Sequence, residues 1–397
     1  MTEQPEARPW YVPMRARRPD ESHRVSTPLE LLFDLCFVVA VAQAAAGLDH
    51  SFIENHVASG VVSYVLMFFA IWWAWMNFTW FASAYDTDDV PYRVTVLVQI
   101  CGSLVMAAGI PSVFAGDGAA TIVVGYVIMR LAMVTQWLRA ARADPPRRRT
   151  ALRYAIGISV TQLGWLLLLL APEVWFIPGF LLLVVAELAV PVVAERASMT
   201  TFHPHHIAER YGLFTVIVLG ESVTAATIAF QSALDGTEDS GTLIGLAVAG
   251  IVTLFCLWWI YFDHEATPPL DSLRTSFLWG YAHYFVFASA AAVGAGLVVA
   301  VNYQQERTEG IGFVLSSMAT TVPVAIYLVT VAALHAHRGR RRLIPWSFGI
   351  AAVLVLADSF IPAPLYVTAG VLTALVVVLT VTTRTRATVP VGSAAER

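Results

Sequence analysis

Long apolar blocks separated by short polar segments fill most of the chain. Most blocks exceed the roughly 17 residues that a helix needs to cross a bilayer. We count about twelve of them and expect each to form one membrane-spanning helix. They cover residues 30–48, 57–81, 91–113, 119–138, 152–171, 174–194, 208–231, 242–263, 276–301, 311–335, 344–361 and 363–383. The pattern predicts an all-α polytopic membrane helix bundle.

The composition supports a membrane protein. Of the 397 residues, 57% are hydrophobic and 13% are charged, and the mean hydropathy is +0.67. A soluble protein of this length would carry about twice that charged fraction. The three cysteines lie inside apolar blocks, without the spacing of a metal site or a disulfide framework. We expect membrane lipid as a partner and no nucleic acid.

Arginine placement predicts the orientation of the spans. The chain contains no lysine, and positive residues concentrate in cytoplasmic loops. Arginines cluster before the first span and after the fourth, tenth and twelfth, whereas four of the opposite loops contain only Arg307 between them. This segregation fits an even number of spans with both termini in the cytoplasm.

Two stretches of the chain resemble each other at an offset of about 180 to 190 residues, close to half the length. ELLFDLCFVVAVAQ from Glu30 matches ERYGLFTVIVLGES from Glu209, and WWAWMNF from Trp72 matches WWIYFDH from Trp258. The repeat predicts two parallel transmembrane halves, at 29–200 and 201–384, between cytoplasmic tails at 1–28 and 385–397. Some transporters are built this way, although chance similarity between apolar helices is a competing explanation.

Glu221 lies near the middle of the apolar run Leu213–Phe230. A carboxylate at that depth costs at least several kcal/mol unless it is paired, protonated or wetted. Such residues usually line an interior path or site. We expect Glu221 to carry a coupling proton or cation. The alternative is a protonated carboxyl group bonded to a neighbouring helix.

The first span opens with a helix-capping pattern. Thr27, Pro28 and Glu30 fit the N-cap, N1 and N3 positions of a capping box. Asp34 lies one turn deeper on the same face as Glu30, and two carboxylates at this spacing repel unless a cation, a proton or an arginine lies between them. We therefore expect a functional role for Asp34, whereas capping alone could explain Glu30.

The seventh span opens with HPHHIAERYG. His206 falls on one helix face with Glu209 and Arg210, three and four residues later. We expect Glu209 and Arg210 to pair as a gate at the cytoplasmic rim, with Glu30 and His206 as further gate or cap residues; a purely structural pair is the alternative. His206 and Glu209 also have the i,i+3 spacing of some metal sites in helix bundles.

Further polar residues lie in the spans or at their ends. We expect a polar funnel that opens to the cytoplasm and ends at Glu221. Its other members are Asp34, Asn77, Glu209, Asp263 and His283. Gln99 is a further candidate, and a lone intramembrane histidine is more often an interhelical hydrogen bonder than a ligand. The tryptophans at positions 72, 73, 258 and 259 are expected to form an interfacial belt.

Together these motifs resemble the bacterial low-temperature-requirement A family. The resemblance rests on TPLELLFDLCFVVAVAQ, WWAWMNFTWFASAYDTDD, HHIAERYGLFTVIVLGES, WWIYFD and YAH, and it spans residues 27 to about 290. It implies a multi-span protein of the bacterial inner membrane, and the family name suggests a role in cold growth. The family pattern carries over onto Glu30, Asp34, Asn77, Asp86, Asp88, Asp89, Glu209, Arg210, Gly220, Glu221, Asp263 and His283.

Three functions are compatible with the sequence. The first, which we favour, is an ion- or proton-coupled secondary transporter of a small solute, without a cofactor. The second is an intramembrane metal-dependent enzyme or sensor, although no HExxH, CxxC or phosphate-binding glycine loop is present. Its candidate ligands for a divalent metal are His206, Glu209, Asp263 and His283. The third is a structural role, which leaves the cost of burying Glu221 unexplained.

Overall fold

The computed structural model describes residues 10–18, 21, 25–235, 240–263, 273–336, 343–362 and 365–387. The regular structure of these residues is helical throughout, without a β-strand. The expected all-α bundle is therefore confirmed. Parts of the tails predicted at 1–28 and 385–397 lie outside the described residues.

Twelve α-helices follow one another along the described chain. Their bounds are α1 Pro28–Ile53, α2 Val57–Tyr85, α3 Val90–Phe114, α4 Ala120–Ala143, α5 Arg148–Leu168, α6 Phe176–Glu195, α7 Pro204–Asp235, α8 Ser240–Phe262, α9 Leu273–Gln304, α10 Phe313–Ala336, α11 Leu343–Asp358 and α12 Tyr366–Ala387. Two short 3₁₀ turns, Pro145–Arg147 and Glu173–Trp175, precede α5 and α6. Among the described residues, nine helices are long and apolar enough to cross a membrane.

Several helices extend beyond the apolar blocks that predicted them. The block expected at 119–138 becomes α4, which continues to Ala143 through Arg139 and Arg142. Hydropathy marks the part of a helix that lies in lipid, whereas a helix ends where its backbone hydrogen bonds end. The helical residues outside the predicted apolar block of α4 are therefore at the end of the helix and include polar side chains.

The described residues form two compact units. The first contains those up to Gly47, Ser59–Ile217 and those of 267–280; the second contains Leu48–Ala58, those of 218–266 and those from 281 onwards. The boundary after Ile217 lies inside α7, whereas the sequence placed the junction of the two halves at residue 200. The parallel repeat itself stays a prediction.

Within the first unit, α3 packs on α4, α4 on α5 and α5 on α6. Glycines allow the closest approach: a Cβ atom on Gly125 would lie 2.5 Å from the carbonyl oxygen of Gly102. Trp137 on α4 stacks on Tyr154 of α5 with their ring centroids 4.1 Å apart. This layer of helices holds one of the two buried ion pairs described below, between Arg130 on α4 and Glu187 on α6.

Within the second unit, α12 packs on α8 and on α11, and α11 packs on α10. Polar side chains join further helices: Ser222 on α7 donates to the carbonyl of Ala290 on α9 at 3.0 Å, and Tyr327 on α10 donates to that of Leu257 on α8 at 3.0 Å. Hydrogen bonds of this kind hold helices together where water is absent.

The interfacial belt expected from the tryptophans is wrong for α2. Trp72 and Trp73 are buried, with 2% and 1% of their surface exposed. Trp258 and Trp259 on α8 are each 45% exposed. The expectation failed on α2 because every residue from Ile71 to Tyr85 except Asn77 is buried, so these rings pack against other parts of the protein.

Candidate functional site

A cluster of four charged or titratable side chains lies between α1 and α7 in the first unit. Glu30 and Asp34 come from α1, and His206 and Arg210 come from α7. Glu30 is 1% exposed, and the other three are fully buried. Each pair is spaced i,i+4, so each helix presents two side chains on one face. The first unit thus contains a charged site without access to water.

The start of α1 positions Glu30. The backbone N–H of Thr27 donates to the Glu30 carboxylate at 2.8 Å, and the Glu30 N–H donates to the Thr27 hydroxyl at 3.3 Å. These reciprocal bonds form the capping box that the sequence predicted. The carboxylate is therefore fixed at the first turn of the helix, with one oxygen left for α7.

The start of α7 positions His206 and Arg210. His203 precedes Pro204, and its Nδ1 accepts the N–H of His206 at 3.2 Å, as an N-cap side chain does. The His203 N–H in turn donates to the hydroxyl of Ser83 on α2 at 3.0 Å. The helix start is therefore anchored against α2.

Arg210 binds both carboxylates. Its Nε donates to Oδ2 of Asp34 at 3.0 Å, while its Nη2 lies 2.5 Å from Oδ1, so the pair is bidentate. Its Nη1 lies 3.0 Å from Oε1 of Glu30, and Nε2 of His206 lies 3.1 Å from the same oxygen. Of the three possibilities left open by the sequence, a cation, a proton or an arginine, the structure places an arginine between the two carboxylates.

Trp75 on α2 completes the surroundings of Asp34. Its indole Nε1 donates to Oδ1 of Asp34 at 2.7 Å. Its ring stacks on Phe214 of α7 with the ring centroids 4.3 Å apart. The aromatic rings replace water around the ion pair, and water exclusion strengthens its electrostatic interactions.

The expected pair between Glu209 and Arg210 is wrong. Consecutive helical residues point about 100° apart, so neighbours in sequence do not face each other. Glu209 instead accepts the backbone N–H of Ser26 at 3.2 Å. Glu209 thus holds the segment that leads into α1, while Arg210 faces the carboxylates of α1 itself.

A second buried ion pair was not predicted from the sequence. Arg130 on α4 donates to Oε2 of Glu187 on α6 at 2.7 Å, and the two side chains are 2% and 1% exposed. Glu187 also accepts from the indoles of Trp73, at 2.9 Å, and Trp165, at 3.2 Å. Tyr126 lies within 2.6 Å of the same guanidinium nitrogen. The sequence signal that could have predicted this pair is the presence of opposite charges inside two predicted spans.

The remaining predicted residues lie elsewhere. Asn77 donates to the carbonyl of Trp73 in its own helix at 2.7 Å. Gln99 is 1% exposed, and its Nε2 has no hydrogen-bond partner among the described residues. His283 is fully buried, with Nε2 3.1 Å from the hydroxyl of Tyr261. Asp263 lies one residue beyond the end of α8.

Glu221 is partly exposed on α7. Among the described residues it forms neither a hydrogen bond nor an ion pair. The carboxylate that the sequence singled out first is therefore less enclosed than Asp34 and Glu30. Its expected role as the end of a polar funnel stays a prediction.

Three of the four candidate metal ligands contact other side chains or backbone groups. His206 contacts Glu30, Glu209 contacts Ser26, and His283 contacts Tyr261. In the part of the chain that the structure describes, no group of three or more histidine, cysteine, aspartate or glutamate side chains could hold a metal ion. The geometry therefore offers no support for a metal centre at these residues.

Comparison with known proteins identifies the family. The model of the bacterial low temperature requirement A protein (LtrA) matches residues 25–381, which include both buried ion pairs. The chain belongs to the LtrA family. A relative, the uncharacterized protein RA0937 of Rhizobium meliloti (strain 1021), is 28% identical over 294 residues, covering 69% of this chain and 70% of its own.

Two acidic residues that follow α2, Asp88 and Asp89, have structural partners. Asp88 pairs with Arg93, with Oδ1 2.7 Å from its Nε. Asp89 caps α3 by accepting the N–H of Tyr92 at 2.8 Å, and it accepts from Arg139 of α4 at 2.7 Å. Asp89 therefore ties the α2–α3 connection to α4, and Asp88 ties it to α3.

Proposed function

We propose that this LtrA-family protein is a proton-coupled secondary transporter of a small solute. In this proposal the buried cluster of Glu30, Asp34, His206 and Arg210 carries the coupling proton. The protein would lie in the bacterial inner membrane with both termini in the cytoplasm, as the arginine distribution indicates. The single observation that carries the proposal is the charge balance of the cluster.

The cluster holds two carboxylates and one guanidinium. With a neutral imidazole at His206 its net charge is −1, and one added proton on the imidazole or on a carboxyl group makes it zero. A net charge buried away from water costs several kcal/mol. The buried arrangement therefore favours the state with one bound proton, and a proton can leave at low cost only when the cluster is wetted.

This link between burial and protonation is what a coupled transporter needs. The charge-paired atoms belong to two helices, so a movement of α1 against α7 separates Arg210 from Asp34 and admits water. Protonation biases the balance between the closed and the wetted arrangement, and by linkage the arrangement sets proton affinity. A solute that binds one arrangement better than the other therefore changes the proton affinity of the cluster, so protons are bound or released.

Reconstitution in proteoliposomes tests the proposal. The vesicles would contain a pH-sensitive dye, and a panel of amino acids, polyols and monovalent or divalent cations would be added outside. We expect at least one solute to change the internal pH with the wild-type protein and not with protein-free vesicles. Asp34→Asn keeps a similar volume but balances the cluster without a proton, so it should abolish the pH change.

Glu54→Gln is the matched control for this change, because Glu54 carries a comparably charged side chain in an exposed position that is 46% accessible. It should leave the solute-dependent pH change as in the wild type. Glu221→Gln tests the second candidate proton carrier. If folded Asp34→Asn protein gives a pH change as large as that of the wild type, the coupling proton is carried elsewhere. If the wild-type protein gives no pH change with any solute of the panel, proton coupling is contradicted.

A further inference from the structure

Two neighbouring helices of the first unit present apolar stripes to their surroundings. On α5, the side chains of Ile156, Val160 and Leu163 are 62%, 65% and 57% exposed. On α6, those of Leu182 and Val193 are 70% and 49% exposed, and they share a face because they lie eleven residues, about three turns, apart. Both helices are long and apolar enough to cross a membrane, so these stripes face lipid.

Both stripes end in arginines at the same end of the helix pair. Residues three or four positions apart lie on one helix face. Arg153 and Arg149 continue the α5 stripe at these spacings from Ile156 towards the start of the helix, and Arg196 continues the α6 stripe just beyond Val193. All three arginines are exposed. The lipid-facing side of each helix therefore changes from apolar to positive at this end.

Contacts between the two helices bring this end of α5 against the end of α6. Nη1 of Arg153 donates to the carbonyl of Val193 at 3.1 Å. The hydroxyl of Thr150 donates to the carbonyl of Ser198 at 2.7 Å. Arg196 lies between these two acceptors in sequence, so it lies beside the first turns of α5. We call this place, where the start of α5 meets the end of α6, the α5–α6 junction.

The positive charges at the α5–α6 junction lack carboxylate partners. Only two acidic residues occur in the adjoining segments 139–153 and 193–203, and both are buried. Asp144 accepts from the hydroxyl of Tyr85 at 3.0 Å, and Glu195 accepts from that of Tyr154 at 2.9 Å. Within the described part of the chain, none of the three arginines forms an ion pair. Like charges so close together repel unless an anion lies among them.

The start of α5 also favours an anion. Its first turn contains Arg148 and Arg149 and no acidic residue, and Arg147 at its N-cap gives no side-chain cap. The N-terminus of a helix carries a partial positive charge, so cations are unfavourable there and anions are favourable. Phosphate groups bind at helix N-termini for this reason. An anion beside Arg149 would therefore be attracted by the arginines and by the helix terminus together.

The depth of the arginines favours a lipid headgroup over a soluble anion. Arg153 and Arg196 each lie three residues, about 4.5 Å of helix rise, beyond an exposed apolar residue of their stripe. The headgroup layer on each side of the hydrocarbon core is about 5–7 Å thick. A lipid phosphate at the junction would therefore place its acyl chains beside Ile156 and Val193, whereas a soluble anion would leave that apolar surface unused.

We propose that the α5–α6 junction binds the phosphate of an anionic phospholipid through Arg149, Arg153 and Arg196, with the acyl chains along the two apolar stripes. This site goes beyond general contact with lipid, because it has a fixed place and selects a negative headgroup. The arginine distribution assigns this end of the helices to the cytoplasmic side, where the membrane surface is negative. The proposal is independent of proton coupling, because binding is measured in detergent at a single pH.

Native mass spectrometry of the full chain in a neutral detergent tests the proposal, because it counts bound lipids. The probes are phosphatidylglycerol, which is anionic, and phosphatidylcholine with the same acyl chains, which has no net charge. Glycerol 1-phosphate presents a phosphate without acyl chains. We expect phosphatidylglycerol to bind saturably and more tightly than phosphatidylcholine, without displacement by an equal concentration of glycerol 1-phosphate. Equal affinity for the two lipids, or displacement by glycerol 1-phosphate, would overturn the proposal.

Three variants remove the charges one at a time: Arg149→Gln, Arg153→Gln and Arg196→Gln. Each should weaken phosphatidylglycerol binding about fivefold, the factor that corresponds to the attraction of one arginine to an anionic membrane surface. Phosphatidylcholine binding should change less. Arg153→Gln also removes a hydrogen bond to α6, so its melting temperature should fall slightly. Arg149→Gln and Arg196→Gln should melt as the wild type does, because exposed charges without ion-pair partners contribute little to stability.

Arg307→Gln is the matched control. Arg307 is exposed and follows α9 in the second unit, outside the α5–α6 junction. The change should leave both lipid affinities as in the wild type. A loss with Arg307→Gln as large as that with Arg196→Gln would mean that binding follows the total charge of the protein, and it would overturn the site. An unchanged preference for phosphatidylglycerol in a variant that combines Arg149→Gln with Arg196→Gln would do the same.

Discussion

At the scale of single residues, Arg210 decides the state of the cluster. It is the only guanidinium within hydrogen-bond distance of Asp34 and Glu30 among the described residues. Removal of one partner from a buried ion pair is far more costly than replacement of the whole pair, because the other charge is left without compensation. The two carboxylates on α1 would then repel each other inside the protein.

Arg210→Ala should therefore lower the free energy of unfolding by about 3–5 kcal/mol. Thermal unfolding in detergent, followed by the loss of helical circular dichroism, measures the change. The matched control is Arg93→Ala, since Arg93 and Asp88 are 42% and 39% exposed. An exposed pair contributes only about 0–1 kcal/mol. Equal effects of the two variants would contradict the account of Arg210.

Residues whose partners are close in sequence could be predicted, and those with distant partners could not. The capping box of Thr27 and Glu30 lies within one turn and forms as expected. The partner of Arg210 is 176 residues away, so sequence spacing pointed to its neighbour Glu209 instead. The spacing of Glu30 and Asp34 predicted that a cation, a proton or an arginine would lie between them, but it did not predict which of the three or that Arg210 would supply it.

At the scale of elements, α2 joins the two buried ion pairs. Trp73 and Trp75 are two residues apart and therefore point about 200° apart around the helix axis. Trp73 donates to Glu187 and Trp75 donates to Asp34. A rotation of α2 would disturb both carboxylates at once. The apolar sequence of α2 predicted a helix, but the acceptors of its indoles lie on other elements and were not predictable.

The contact between α3 and α4 depends on a pair of glycines. Gly125→Ala would place a methyl group 2.5 Å from the carbonyl oxygen of Gly102, and backbone atoms can relieve this only by separating the helices. The change should lower the free energy of unfolding by about 1–3 kcal/mol. Thermal unfolding measures it.

Gly370→Ala on α12 is the control, because a Cβ atom there meets nothing within 4 Å. Alanine favours a helix over glycine by up to about 1 kcal/mol, so this variant should be neutral or stabilised. A destabilised Gly370→Ala with a neutral Gly125→Ala would reverse the expected order and contradict the close contact.

At the scale of the whole molecule, hydropathy predicted that the chain is a series of helices and where along the sequence they lie. Periodic apolar blocks are local signals that each helix carries by itself. The grouping of helices into compact units depends on contacts between distant segments, and the boundary after Ile217 falls inside α7, within its apolar stretch Leu213–Gly220. The composition does not change at this boundary. The sequence therefore placed the junction of the two halves at the polar connection near residue 200 instead. The orientation inferred from the arginines stays a prediction.

The central claim, that protonation of the cluster drives solute movement, is tested most directly by separating two modes of transport. The solute that changes internal pH would be radiolabelled and measured in proteoliposomes containing Asp34→Asn. Solute exchange at equal pH needs no net proton movement, whereas accumulation against a gradient does. The account predicts that exchange continues and that accumulation driven by a pH gradient is lost. Accumulation at the wild-type level, or equal loss of both modes in folded protein, would contradict it.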